Sequence, residues 1–449
     1  MPVRLFIVCF AACSIFISAC DKDKTIFDEP FPCEDGLADG NYPCENIGMY
    51  AHISRSEFDT ERLNDIWGWT DPQTGKEYAL VGKYDGVAFV DVSDPENPQI
   101  IGALPESSFS AKRVDLRTAD LEICEFGIGS TPEAKALTEG SVWRDLKVYQ
   151  NHLFVVADAQ SHGMQVFDLT NLRNFDGTVL NFDADAIYTE FSNAHNIVIN
   201  ETTGFAYAVG ATNSVNEDFV NDCNEGGLHM MDISNPKSPV FAGCYRNTEA
   251  PRRRSNSAYI HDAQCVTYSG PDADYQGSEI CFNAAERAVD IADVSDKSNP
   301  LHLGYAANPN VQYSHQGWLT EDQAYFIMND ELDELNLGRN TKTHVFDVRD
   351  LENPVFVGSF DHITRTIDHN LYIKNDHTIL TNYTSGVRIL ENQDLSNAEF
   401  LQVGFFDTTP RNNSITFEGT WSSYPYFESG ILIVSDIFGG LFVLNPHLD

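Results

Sequence analysis

One phrase recurs along this chain and limits its fold more than any other feature. It begins as an alternating apolar strand, ends in Asp, a small aliphatic residue and Ser or Thr, turns through Pro, and closes a second strand on Gly. The copies are VAFVDVSDPENPQIIG at 87–102, MQVFDLTNL at 164–172, LHMMDISNPKSPVFAG at 228–243, VDIADVSDKSNPLHLG at 289–304 and HVFDVRDLENPVFVG at 344–358. Two degenerate copies follow, VRILENQDLSNAEFLQVG at 387–404 and the terminal LFVLNPHLD. The turn positions are Asp91, Asp168, Asp232, Asp293, Asp347, Glu391 and Asn445, 44 to 77 residues apart. Asp before such a turn caps its own backbone, so these residues read as structural. The apolar period is two rather than 3.6, and Asp-Pro or Asn-Pro interrupts the units, which excludes a helical repeat.

Each unit also has an upstream half of two short strands, such as HNIVINETTGFAYAVG from His195 and HNLYIKNDHTILTNY from His369. Four strands per unit cannot bury both sheet faces alone, and radial stacking of such units solves this. The expectation is all-β: a single seven-bladed β-propeller of four-stranded antiparallel blades. The last copy stops in the third strand of its blade, so Gly48–Ser54 should supply the fourth and close the ring. An insertion at about 105–140, carrying Cys124, accounts for the longest spacing.

The repeated V-x-D-[VI]-[ST]-[DN]-P phrase resembles the LVIVD repeat. The run from His261 to Asp272, with Gly277-Ser278-Glu279-Ile280-Cys281, is similar to the choice-of-anchor B family, as are Gly226–Ile233 and Gly243-Cys244. The resemblance spans about residues 48–445 and is weaker in the last two blades. It implies an exported propeller in front of a variable surface anchor, and no established activity.

The N-terminus is read in the same direction. Residues 1–19 hold one positive charge, an apolar run from Leu5 to Phe16, and Ile17-Ser18-Ala19 before Cys20, which resembles a lipoprotein signal with Cys20 as the acylated residue. Residues 20–46 read as a flexible tether and 47–449 as the propeller. The protein is thus expected in the cell envelope, bound to the membrane through an N-terminal lipid. Export permits disulfides, and neighbour spacing pairs Cys33 with Cys44, Cys223 with Cys244 and Cys265 with Cys281, although spacing alone does not prove connectivity. A net charge of −39 removes nucleic acid as a partner.

Aligning the upstream halves brings together the residues that open each inner strand: Asn64-Asp65, Arg144-Asp145, His195-Asn196, His261-Asp262, His315-Gln316, His369-Asn370 and Gly419-Thr420. In a propeller these positions ring one mouth of the central channel. Arg144, Asp145, His195, His261, Asp262, His315 and His369 are therefore the candidate ligand site. The four imidazoles are candidate ligands for a divalent metal, zinc or calcium, with Arg144 favouring an anion instead. The same pattern is equally read as blade-structural residues bonding a neighbouring strand. The acids of Asn329–Glu334 and Asp272-x-Asp274 read as solvated loops lacking the spacing of a calcium-binding loop, and Arg252–Arg254 as a surface loop. No P-loop, zincin or nucleophile-elbow motif is present. The reading is a module that binds a protein, glycan or small molecule, and the alternative is a metal-dependent hydrolase or lyase using the histidine mouth.

Overall fold

Short apolar runs separated by Gly, Asn and Asp turns become the strands of seven antiparallel blades around one axis, a seven-bladed β-propeller. The computed structural model describes residues 29–106, 140–212, 223, 226–247, 249–251 and 258–448. The signal segment with Cys20, Cys124 and Arg252–Arg254 lie outside the described residues. The innermost strands are Leu63–Thr70, Arg144–Tyr149, Asn196–Asn200, Asp262–Thr267, Ser314–Leu319, Leu371–Lys374 and Thr420–Tyr424. Each packs on the innermost strand of the next blade, and the seventh packs on the first.

The core lies between blades, because each sheet covers its neighbour. Leu80 and Phe89 of blade 1 pack with Leu153 and Phe167 of blade 2, and Phe282 of blade 4 packs with Phe326 of blade 5. Strands covered on both faces need continuous apolar runs, as in the fully buried Glu77–Lys83. The repeated phrase explains itself in these contacts. Asp91, Asp168, Asp232, Asp293 and Asp347 each accept the N–H two residues on at 2.8–3.1 Å, fixing the turn into the outer strand. Asn445 caps His447 in the same way at 3.2 Å. In blade 6 the third strand runs on to Asp394, which caps Ser396 at 3.0 Å, so Asp394 takes the role expected of Glu391. The closing Gly admits the next blade: a Cβ on Gly304 would stand 2.6 Å from the Glu352 carbonyl oxygen, and one on Gly243 would collide with that of Lys297.

Gly48–Ser54 pairs antiparallel with Gly440–Asn445 and completes blade 7, as its position in the sequence predicts. Tyr50 and Ile53 of this strand join Val81, Val90, Ile433 and Val443 in the layer between blades 7 and 1. The first and last parts of the propeller are therefore held in one sheet, which leaves no open seam between them.

The expected tether needs correction. Residues 29–46 are built into the fold: Leu37–Ala38 and Tyr42–Glu45 form a hairpin, and Tyr42–Glu45 adds to the outer strand Glu399–Phe406 of blade 6. Ala38 and Cys44 are buried there against Phe406, so the cause is apolar burial together with pairing of a sheet edge. The disulfides are Cys33–Cys44, which clamps this hairpin, Cys223–Cys244 and Cys265–Cys281. They are consistent with an extracytoplasmic protein. No helix among the described residues is long and apolar enough to cross a membrane.

Removing residues 1–54 deletes the closing strand and should abolish a single cooperative unfolding transition, whereas Cys33→Ser with Cys44→Ser should keep it and cost about 2–3 kcal/mol. Urea unfolding followed by circular dichroism reads both. A truncated chain that unfolds like the full one would show that closure does not depend on Gly48–Ser54.

Candidate functional site

The inner edge of every blade faces the axis with backbone groups that no further strand can pair, and the polar residues at the strand starts answer them. His261 Nδ1 lies 2.9 Å from the His315 carbonyl oxygen, His315 Nδ1 3.1 Å from that of His369, and His369 Nδ1 2.6 Å from that of Trp421. A carbonyl only accepts, so each Nδ1 carries the proton and each Nε2 presents its lone pair. Asp145 Oδ2 accepts from Ile197 N at 2.7 Å, Gln264 Oε1 from Leu319 N at 2.7 Å and Gln316 Oε1 from Leu371 N at 2.9 Å. Blade is thus joined to blade along the channel.

The four histidines do converge. Successive ring centroids from His195 through His261 and His315 to His369 lie 4.4, 4.2 and 4.6 Å apart, and Trp421 continues the arc 4.6 Å beyond. Trp421 therefore occupies the seventh place, where Gly419-Thr420 was expected. The strand carries a bulge between Thr420 and Ser422 that aligned repeats do not reveal. The throat is narrow, a cavity of about 20 Å³, close to the volume that one water needs. Burial, with the neighbouring imidazoles, pushes His261 well down; burial likewise takes His315 and His369 to about 3. His195 goes the other way: burial opposes its charge, but Asp158 at 3.0 Å from Nδ1 outweighs that and raises it.

Beneath the imidazoles lies a charged layer. Lys147 Nζ sits 2.6 Å from Asp145 Oδ1 and 3.7 Å from Asp65 Oδ2. Burial, reinforced by Asp145, takes Asp262 up to about 7, and burial also holds Asp65 well above the usual carboxylate range. Arg144 already has a carboxylate counterion within the protein. Although Arg144 lines the throat, its guanidinium is buried on Glu106 at 2.9 Å, the Lys83 carbonyl at 3.1 Å and His162 Nε2 at 2.9 Å. Counterion and burial account for that side chain completely.

Among the described residues, two groups bring ligand-type atoms together. His315, Glu331 and His369 offer ligand atoms within 4.8 Å of one another, as do Asp330, Asp333 and His344. Glu331 Oε1 lies 3.7 Å from His315 Nε2, 4.0 Å from His369 Nε2, and accepts from the Tyr383 hydroxyl at 2.9 Å. His195 and His261 fall outside both sets. Asp272 is committed to a turn, accepting from Asp274 N and Leu351 N.

The opposite mouth, at the carboxyl ends of the inner strands, was not expected. It is a bowl of about 450 Å³ lined by Trp67, Trp318, Tyr424 and Tyr426 with Asn200, Glu201, Gln264 and Gln323, and Lys147 forms its floor. Trp67, Lys147, Val198, Gln264, Trp318, Tyr372 and Tyr424 each follow an arc or strand-start residue by three. Strict alternation would point such residues away from the axis. The strands of Trp67, Trp318 and Tyr424 carry bulges after Leu63, Ser314 and Thr420, whereas Lys147, Val198 and Gln264 line the same bowl from strands in regular register.

The lowered histidine pKa values have a consequence for stability. The unfolded chain, with imidazoles near 6.5, takes up protons before the folded one, so this contribution is complete above about pH 6.5 and falls as pH drops toward 3. Asp262 acts oppositely, with a contribution present below about pH 4 and lost as pH rises through 7. Comparison with His369→Gln isolates the imidazole: the stability lost between pH 7 and pH 5 should be about 2 kcal/mol smaller in the variant. Equal acid losses in urea unfolding would contradict the buried neutral imidazole.

Among known proteins, the LVIVD repeat matches residues 214–247, a stretch containing the strands Leu228–Asp232 and Val240–Tyr245 of blade 3. No curated protein sequence matches. A solved structure described as COPII on membranes, outer coat vertex, is similar with a TM-score of 0.54 at 11% identity, over 88% of this chain and 84% of that one. The structure of the COPII coat assembled on membranes gives the same score and identity over 88% of this chain and 47% of the other. At that identity the likeness is one of fold, and the chain is a β-propeller carrying an LVIVD repeat.

Proposed function

We propose that this protein is an envelope-tethered extracytoplasmic propeller that binds a sugar-sized polar ligand in the aromatic bowl. The bowl itself carries the reading: about 450 Å³, open to solvent, with two indoles and two phenols among its walls. Aromatic faces cover the apolar faces of a sugar ring, while Asn200, Glu201, Gln264 and Gln323 offer donors and acceptors for its hydroxyls. A net charge of −39 favours a neutral ligand over an anionic one. Tethering rests on the Ile17–Cys20 motif, and the three disulfides support the compartment. The similarity to coat propellers supports a protein partner on the loops as a companion role.

A metal-dependent hydrolase or lyase is the second reading. The observation in its favour is that His315 and His369 commit Nδ1 to backbone carbonyls and turn Nε2 toward Glu331, the tautomer a metal ligand needs. Their narrow throat favours a bound ion over a substrate.

Titration with a panel of mono- and disaccharides should quench tryptophan fluorescence saturably, and Trp67→Ala or Trp318→Ala should weaken binding about 10- to 100-fold. A panel without response, or equal affinity in folded variants, removes the bowl as a sugar site. For the tether, Cys20→Ala should release the protein from membranes. Retention of that variant after a high-salt wash would contradict lipid anchoring.

A further inference from the structure

The acidic run Asn329–Glu334 is not a solvated loop. It begins in the last two residues of the second strand of blade 5, Tyr325–Asp330, and runs into the short helix Asp333–Leu337. Asp330, Asp333 and Glu334 are each 0% exposed, and so is Asp368, which arrives from the segment before the inner strand of blade 6. Four fully buried carboxylates therefore come from blades 5 and 6, with oxygens of Asp330 and Asp333 within 4.8 Å of each other. The paired cation there is Arg339, which holds Asp333 Oδ2 through Nε at 2.7 Å and also through Nη2.

The remaining oxygens fall into two groups. Asp330 accepts the backbone N–H groups of Tyr313 at 2.6 Å and Gln312 at 2.7 Å, so its carboxylate is fixed in place with further lone pairs available. No hydrogen bond of ordinary geometry reaches either oxygen of Glu334, either oxygen of Asp368 or Oδ1 of Asp333, although Glu334 approaches Asp333 and the Asp330 N–H approaches Asp368. Asp368 is the independent observation, because it belongs to another blade yet lies close enough for the charges of Asp330 and Asp333 to act on it. Buried carboxylates without donors are unstable as anions, and they either keep protons or gather around a cation.

The chemistry of the set selects the cation. His344 is near Asp330 and Asp333, but Nε2 accepts from Asn308 at 2.9 Å and Nδ1 is bonded to Ser359 Oγ at 2.7 Å, so no imidazole nitrogen is available. The donors left are all carboxylate oxygens, from two blades, and several of them can bind in two-oxygen fashion. Hard oxygen donors in such number fit calcium, which takes six to eight, better than zinc, which prefers nitrogen and sulfur.

We propose that Asp330, Asp333, Glu334 and Asp368 hold a calcium ion that clamps blade 5 to blade 6. This site is separate from the His315–Glu331–His369 group. Glu331 points to the channel and Asp330 does not, as alternation along an extended segment requires.

The full chain is stripped with EDTA, and calcium is returned. Metal analysis should find one calcium per chain, and the Tm should rise by about 3–5 °C at a hundredfold excess over Kd. Glu334→Gln and Asp368→Asn keep the shape and remove one charge each, so both should fold in EDTA at least as stably as the parent and lose most of the calcium-induced rise. An EDTA-treated chain that neither binds calcium nor changes Tm overturns the proposal and leaves a protonated acid cluster. A calcium response kept in full by both variants also overturns it, as does a response to zinc alone that His315→Ala removes.

Discussion

The innermost strand of each blade has one edge with no partner strand, and the organisation of the channel follows from satisfying that edge. Each blade reaches sideways to the backbone of the next: Asp145 to Ile197, Gln264 to Leu319, Gln316 to Leu371, and three histidines to the carbonyls of His315, His369 and Trp421. Polar side chains are required at these places because water has little room in a throat of about 20 Å³. The same burial keeps the imidazoles of His315 and His369 neutral. A histidine arc that looks catalytic in a list of residues is, at its Nδ1 atoms, a set of joints between blades.

Closure of the ring has its own logic. Gly48–Ser54 pairs with Gly440–Asn445, so the chain's early and late parts stabilise one sheet, and the hairpin clamped by Cys33–Cys44 covers the outer edge of blade 6. Any linker to a membrane must then end before Phe31, which already pairs with Met49.

Much of this was legible in the sequence because repeats encode turns. Asp at the strand end, Gly at the close of the outer strand and the missing fourth strand each have a local cause, and apart from blade 6, where Asp394 caps the turn, the structure has them where the repeated phrase puts them. What escaped was non-local. A bulge lies between Thr420 and Ser422 where the arc residue is Trp421, and the strands of Trp67 and Trp318 carry bulges that aligned repeats do not reveal. The direction of Arg144 depends on Glu106 and His162, which are distant in the chain. The acids of Asn329–Glu334 looked solvated because nothing nearby in sequence says that Asp368 and the body of blade 6 cover them.

The two mouths of the channel therefore differ in kind: a tight, hydrogen-bonded throat that joins the blades, and a wide aromatic bowl suited to a ligand. The division rests on the state of the imidazoles, and nitrogen-15 NMR of the histidine rings across pH tests it most directly. The account predicts that His261, His315 and His369 remain neutral with the proton on Nδ1 down to pH 5. Rings that titrate near 6.5, or that carry the proton on Nε2, would contradict it and return the throat to the role of an acid–base site.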